Sequence, residues 1–190
     1  MGEHFVDFMC RRVSYPKLTD PAPQQNVLNR IYRSALRAPD HKQLRPWRYR
    51  VIQGEARQTL GELFCSASLA QDENLAPAKI EKLRKMPLRA PMIIVGISKH
   101  IPHPKVPREE QVISCGVGMG YMLLALQAEG FGGIWRTGPL ASDPLVRKGL
   151  GVDEDETLVG FLYLGTPDSR AKSIPDLDVD AYFSEWSAPE

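Results

Sequence analysis

Three short stretches gather side chains suited to holding a charged, planar molecule. Arg11-Arg12-Val13-Ser14 sets two guanidiniums beside a hydroxyl, and Arg37 with His41 and Lys42 brackets a polar loop. Gly132-Gly133-Ile134-Trp135-Arg136-Thr137-Gly138 joins paired glycines to an indole, a guanidinium and a hydroxyl. A guanidinium fork matches phosphate oxygens, and glycine lets backbone approach a flat ring. Taken singly, each stretch has a plainer use: arginines at a helix end complement its dipole, and a tryptophan fills a core. Together they describe a pocket for a flat, anionic cofactor, and no side chain is assigned as catalytic.

Other chemistries find little support. No Gly-x-Ser-x-Gly occurs, and His4, His41, His100 and His103 offer no metal-ligand spacing beyond the His100/His103 pair in a proline-rich loop. No metal site is expected. Gly116-Val117-Gly118-Met119-Gly120 lies inside a helical pattern rather than between a strand and a helix, so it is not a dinucleotide loop. Gly116 and Gly120 share one helix face, as Ser114 and Gly118 do, and a face so smooth suits close packing in a core or between subunits. Basic residues are not interleaved with aromatics in a nucleic-acid module, and no nucleic-acid partner is expected.

The elements that must position these groups can be read from periodicity and breakers. Phe5, Phe8 and Met9 give a short amphipathic helix running into Arg11-Arg12. Leu28, Ile31, Tyr32 and Ala35 mark a second helix, with Pro23 in its first turn and an end near Arg37. Residues 38–47 form a loop before a strand at Arg48–Ile52. Helices follow at about 55–70 and 77–85. Met92–Ile97 is a continuous apolar run, the mark of a central strand covered on both faces. The longest helix spans Arg108 to about Glu129, followed by strands at 131–136 and 157–164 around a short helix near 144–150. An arm is expected over Tyr182–Glu190.

The chain's 190 residues suit one domain, with a formal net charge of +1 and 43% hydrophobic residues. The charge is uneven: Lys and Arg exceed Asp and Glu by six in residues 1–50 and by three in 51–150, whereas acids lead by eight in 151–190. Cys10, Cys65 and Cys115 are odd in number and lack CxxC spacing, which favours a reduced, cytoplasmic setting. The uncharged stretch Val112–Ala128 falls short of the ~20 apolar residues of a membrane span and reads as a buried helix.

The sequence resembles the nitroreductase family of FMN-dependent oxidoreductases, in particular its compact bacterial NAD(P)H nitroreductase branch. The matching stretches run in family order: Arg11-Arg12, Arg37-Ala38-Pro39-Asp40-His41-Lys42 with Pro46-Trp47, Arg89-Ala90-Pro91, Val106-Pro107-Arg108 with Gln111, Gly130–Arg136, and Val159–Pro167. The resemblance implies an α+β fold with a central mixed sheet flanked by helices. It further implies an interlocked homodimer with two FMN sites, each built from both chains. Carried over by position, Arg11, Arg12 and Val13 or Ser14 would contact the flavin, as would Arg37 and His41 from the loop and Trp135, Arg136 and Thr137 from the strand end. The implied activity is electron transfer from NADH or NADPH to a small organic acceptor, nitroaromatic or quinone-like, in two half-reactions. Alternatives on the same fold are reductive dehalogenation, oxygen-dependent flavin chemistry, or flavin binding without turnover. The family loop commonly reads Pro-Ser-x-x-Asn-x-Gln-Pro-Trp, whereas its polar positions here are Asp40, Gln43 and Arg45, and the short chain implies an open flavin site.

Overall fold

A computed structural model describes residues 2–171 and 173–188. Seven helices and five strands follow one another in the order α1 (Gly2–Cys10), β1 (Leu18–Thr19), α2 (Gln25–Ala35), β2 (Trp47–Gln53), α3 (Ala56–Gln71), α4 (Pro77–Lys85), β3 (Met92–Lys99), α5 (Arg108–Ala128), β4 (Gly132–Arg136), α6 (Pro139–Ser142), α7 (Pro144–Gly149) and β5 (Glu156–Pro167). The α+β class expected from the sequence is present. The sheet order is β1-β5-β3-β2, with β4 also paired to β5. Every pairing is antiparallel, which corrects the expected mixed sheet. Pro23 precedes α2 instead of lying in its first turn.

The continuous apolar run of β3 is explained by what covers it. Ile93, Val95 and Ile97 face a core with Leu60 and Phe64 of α3, Leu83 of α4 and Phe161 of β5. Met92 and Ile94 point the other way, into a second core with Leu28 and Ile31 of α2 and Met119, Met122 and Leu126 of α5. Alternation along a strand sends successive side chains to opposite faces, so a strand covered twice reads as unbroken hydrophobicity. Among the described residues, α5 is the one helix long and apolar enough to cross a membrane. It instead buries Cys115, Met119, Met122 and Leu126 within the fold.

Close approach of α5 to its neighbours depends on its glycines. A Cβ on Gly118 would stand 2.5 Å from the Tyr49 hydroxyl and 3.0 Å from the Ala35 carbonyl, so only glycine lets α2 and β2 come this near. Gly120 meets nothing within 4 Å, which leaves an open patch on the same helix.

One corner is organised by charge. Glu156, 3% exposed, takes a hydrogen bond from Arg48 Nε at 2.5 Å and one from the Asp153 N–H at 3.0 Å. Arg108 and Arg147 both donate to its backbone carbonyl at 3.1 Å. The Arg48 guanidinium holds the Glu156 carboxyl below the usual carboxylate range, against the opposing effect of burial. Asp143 caps α7, accepting from the N–H groups of Leu145 at 2.9 Å and Val146 at 3.1 Å.

After β5 the chain runs along the surface with a single 3-10 turn at Val179–Ala181. Its large apolar side chains are in water: Tyr182 is 71% exposed, Phe183 75% and Trp186 85%. The expected arm is therefore present over its described residues, with Pro189 and Glu190 outside them.

Candidate functional site

The site is assembled on β4. Tyr15 donates its backbone N–H to the Gly133 carbonyl at 3.2 Å, and β1 pairs with the end of β5. These bonds lay the segment after α1 alongside the strand that carries Trp135 and Arg136. Within that segment Arg12 Nη1 reaches the Ser14 hydroxyl at 3.4 Å. Arg11 turns back instead, its Nε donating to the Asp7 carbonyl at 3.2 Å in the last turn of α1. Arg11 thus fills the plainer role of a helix-end arginine in this chain.

At the end of β4 two buried donors lack a partner among the described residues, Nε1 of the Trp135 indole and Nε of the Arg136 guanidinium. Buried polar groups are nearly always satisfied, so such orphans mark strain or a site made for something else. The Arg136 guanidinium lies 5.8 Å from the centroid of the Tyr163 ring. Burial pushes the Tyr163 phenol up to about 12, partly offset by the nearby charges of Arg136 and Arg89.

Arg136 lines two clefts. The larger, of about 810 Å³, is bounded by Pro16, Lys17, Leu18, Arg89, Asp168, Ser169 and Arg170 as well. The smaller, of about 300 Å³, is formed with Arg89, Lys82, Thr137, Phe161 and Tyr163 among others. In the larger cleft four cations, Lys17, Arg89, Arg136 and Arg170, face one acid, Asp168. None of the four forms an ion pair among the described residues. Uncompensated cations around a cleft are the electrostatic counterpart of an anionic ligand. Sequence reasoning missed Lys17, Arg89, Arg170 and Tyr163 as lining residues, although Arg89-Ala90-Pro91 and the stretch ending at Pro167 were recognisable as motifs.

The second polar cluster lies elsewhere. Arg37, Asp40, Gln43 and Arg45 line a cleft of about 540 Å³ with Leu36, Ala38 and Trp47. The Asp40 carboxylate accepts from the N–H groups of Leu44 at 3.1 Å and Arg45 at 2.7 Å. That clamp accompanies three non-glycine residues with positive φ, Lys42 (63°), Gln43 (53°) and Arg45 (52°). Left-handed backbone at such residues is uncommon and gathers at functional segments. His41 borders a further cavity of about 290 Å³ with Glu110, Ser114 and Val117.

The clefts around Arg136 and those around Arg37 and His41 share no residue. The loop leads into β2, which is separated from β4 by β5 and β3. Three inter-strand steps amount to ~14 Å at ~4.8 Å each. One chain therefore lays the segment that follows the first sequence cluster along β4, which carries the third, and leaves the second apart. Val13 and Thr137 belong to the first and third clusters in turn, Thr137 lining the smaller cleft and Val13 lying between Arg12 and Ser14.

An α+β domain with an anion-ready cleft at a strand end is thereby defined, and comparison with known proteins narrows it. The sequence model of the Nitroreductase family matches residues 10–166. The chain is 40% identical over 174 residues to a protein of Escherichia coli K12 named "Putative NAD(P)H nitroreductase YdjA", covering 90% of this chain and 94% of that one. A nitroreductase-like family protein from Bacillus cereus has the same fold, with a TM-score of 0.80, 23% identity and 96% of both chains covered. The nitroreductase NfnB from a strain described as sphigopyxis sp. HMH, named as FMN- and NADPH-dependent, superposes with a TM-score of 0.77 at 19% identity over 96% of this chain and 98% of that one. The protein belongs to the nitroreductase family and is an oxidoreductase.

Proposed function

We propose that residues 1–190 act as a single FMN-binding domain that passes electrons from NADH or NADPH to a small organic acceptor, nitroaromatic or quinone-like. The observation that carries this reading is the cleft in which Lys17, Arg89, Arg136 and Arg170, none in an ion pair among the described residues, face the single acid Asp168, with the buried Arg136 Nε lacking a partner among the same residues. A phosphate dianion answers the cations, and the carbonyl-rich edge of a flavin supplies an acceptor for the orphaned Arg136 Nε. Arg12, Lys17 and Arg170 are assigned to holding the phosphate end. Trp135, Arg136 and Thr137, on the strand end, are assigned to the ring. Bound FMN supplies hydride chemistry in two half-reactions, so the protein's own task is to bind, orient and tune. A fixed guanidinium at the ring favours its anionic reduced form.

The separation of Arg37 and His41 from β4 supports a homodimer, in which a second copy brings its own loop to complete each site. The apolar arm supports it too. Residues 173–188 carry Asp176, Asp178, Asp180 and Glu185 with no Lys or Arg, whereas residues 1–50 carry an excess of six positive charges. Aromatics that stay in water in one chain can be covered by another, and the charges favour the basic N-terminal part as the surface they meet.

The first experiment is reconstitution. Protein incubated with FMN and desalted should emerge yellow; a colourless protein overturns the reading. Anaerobic stopped-flow mixing with NADH or NADPH should then bleach the bound flavin, and nitroaromatic or quinone should restore the colour. Bound FMN that neither nucleotide bleaches would leave a flavin-binding protein and exclude the oxidoreductase cycle proposed.

A further inference from the structure

We propose that Glu110 is a positioning residue for His41, fixing the imidazole so that its Nε2 is the atom offered to the flavin site. The proposal deepens the FMN reading and rests on it for the destination of His41. His41 Nδ1 lies 3.3 Å from both carboxylate oxygens of Glu110, a bifurcated contact between groups far apart in sequence. An ionised carboxylate only accepts, so Nδ1 carries the proton and donates it. The remaining ring nitrogen, Nε2, is then free to meet a ligand.

The two side chains are 44% and 47% exposed, and three further features support the contact. Glu110 lies in the first turn of α5, where unpaired N–H groups favour a negative charge. Ser114, one helical turn onward on the same face, donates its hydroxyl to the Pro39 carbonyl at 2.5 Å. Two side chains of α5, four residues apart, thus grip the loop at residues 39 and 41. From the other side, the Asp40 clamp and the left-handed Lys42 fix the loop backbone next to the imidazole. The imidazole thus contacts Glu110 through Nδ1 from a backbone restrained on both flanks. Metal-binding histidines are oriented by carboxylates in the same way, which fixes the tautomer.

The test uses wild-type protein, His41→Ala, Glu110→Ala, Glu110→Gln and the double variant His41→Ala/Glu110→Ala, each checked for thermal stability. FMN affinity is measured by quenching of flavin fluorescence. Loss of one ordered hydrogen bond corresponds to about a three- to tenfold weakening, expected for His41→Ala and for Glu110→Ala. The double variant should bind no more weakly than His41→Ala, because Glu110 acts through the ring. Glu110→Gln keeps an acceptor and should recover most of the affinity, and it serves as the working arm if the alanine variant does not fold. Nitrogen-15 NMR of histidine-labelled protein without FMN should show His41 protonated at Nδ1 in the wild type and a tautomer mixture in Glu110→Ala. Unchanged affinity and tautomer in Glu110→Ala, or additive losses in the double variant, overturn the role of Glu110. Unchanged affinity in His41→Ala removes His41 from the flavin site instead, and failure of the wild type to bind FMN refutes the underlying functional reading; the NMR result tests the Glu110 contact in either case.

Discussion

Gly160 shows how little room surrounds the indole of the site. A Cβ there would strike Trp135 Nε1 and would lie 2.8 Å from Trp135 Cδ1 and 2.9 Å from the Arg136 carbonyl. Gly160→Ala should therefore displace Trp135, destabilise the fold by about 1–3 kcal/mol through overpacking, and weaken FMN retention. Denaturant unfolding and a flavin titration check the two effects separately. The cysteines supply a second expectation at this scale. Cys10 is exposed, whereas Cys65 and Cys115 are buried, and burial pushes the Cys115 thiol up to about 12. Since the thiolate is the reactive form, maleimide labelling of native protein at pH 7.5, a pH of about one unit below an ordinary thiol's pKa, should stop at one adduct, on Cys10. Mass spectrometry that finds Cys115 labelled without denaturant would contradict the packing of α5.

At the scale of elements, the Arg48–Glu156 contact joins β2 to the start of β5. The folded-state pKa of Glu156 is depressed, so its contribution to stability is fully present above its unfolded value, near 4.5, and is lost as pH falls through the lower folded value. Glu156→Gln should cost about 3 kcal/mol at pH 7, because it leaves a partly buried guanidinium without its counter-charge. The gap between wild type and variant should then narrow as pH is lowered below 4.5, measured by urea unfolding. Elements themselves were legible where punctuation was strong: Gly54 and Pro77 frame α3 and α4, whose observed bounds lie close to those read from composition. The strand β1, two residues long, was hidden in a proline-rich stretch because its only support is β5, nearly the whole chain away. The direction of the strands was equally hidden. An apolar run reports that β3 is covered twice, whereas antiparallel order depends on how α5 and the loops return the chain.

For the whole molecule, the recognisable motifs named candidate residues and not their grouping. The Tyr15–Gly133 hydrogen bond lays the segment after Arg12 along the strand of Arg136, while Arg37 and His41 are set apart by the order of β2, β3, β5 and β4. Sheet order is long-range information that no local spacing carries. Lys17, Arg89 and Arg170 escaped notice for the same reason, each an unremarkable cation until the fold brings them round one cleft. Deleting the arm from residue 173 onward should shift the protein toward monomer in sizing chromatography with light scattering, with the described core still cooperatively folded. A dimer unchanged by that deletion would remove the arm from the proposed interface.

The distance between the Arg37–His41 loop and β4 has a consequence for the proposed dimer. If each flavin is gripped by two chains, FMN binding and subunit association are linked equilibria, and reciprocity requires each to strengthen the other by the same factor. Dilution then becomes a way to strip the flavin: holoprotein diluted below the dissociation constant of its dimer should release FMN and regain free-flavin fluorescence, and added FMN should draw monomers back into pairs. The spacing of strands across one sheet would thus set the protein concentration at which the enzyme is armed.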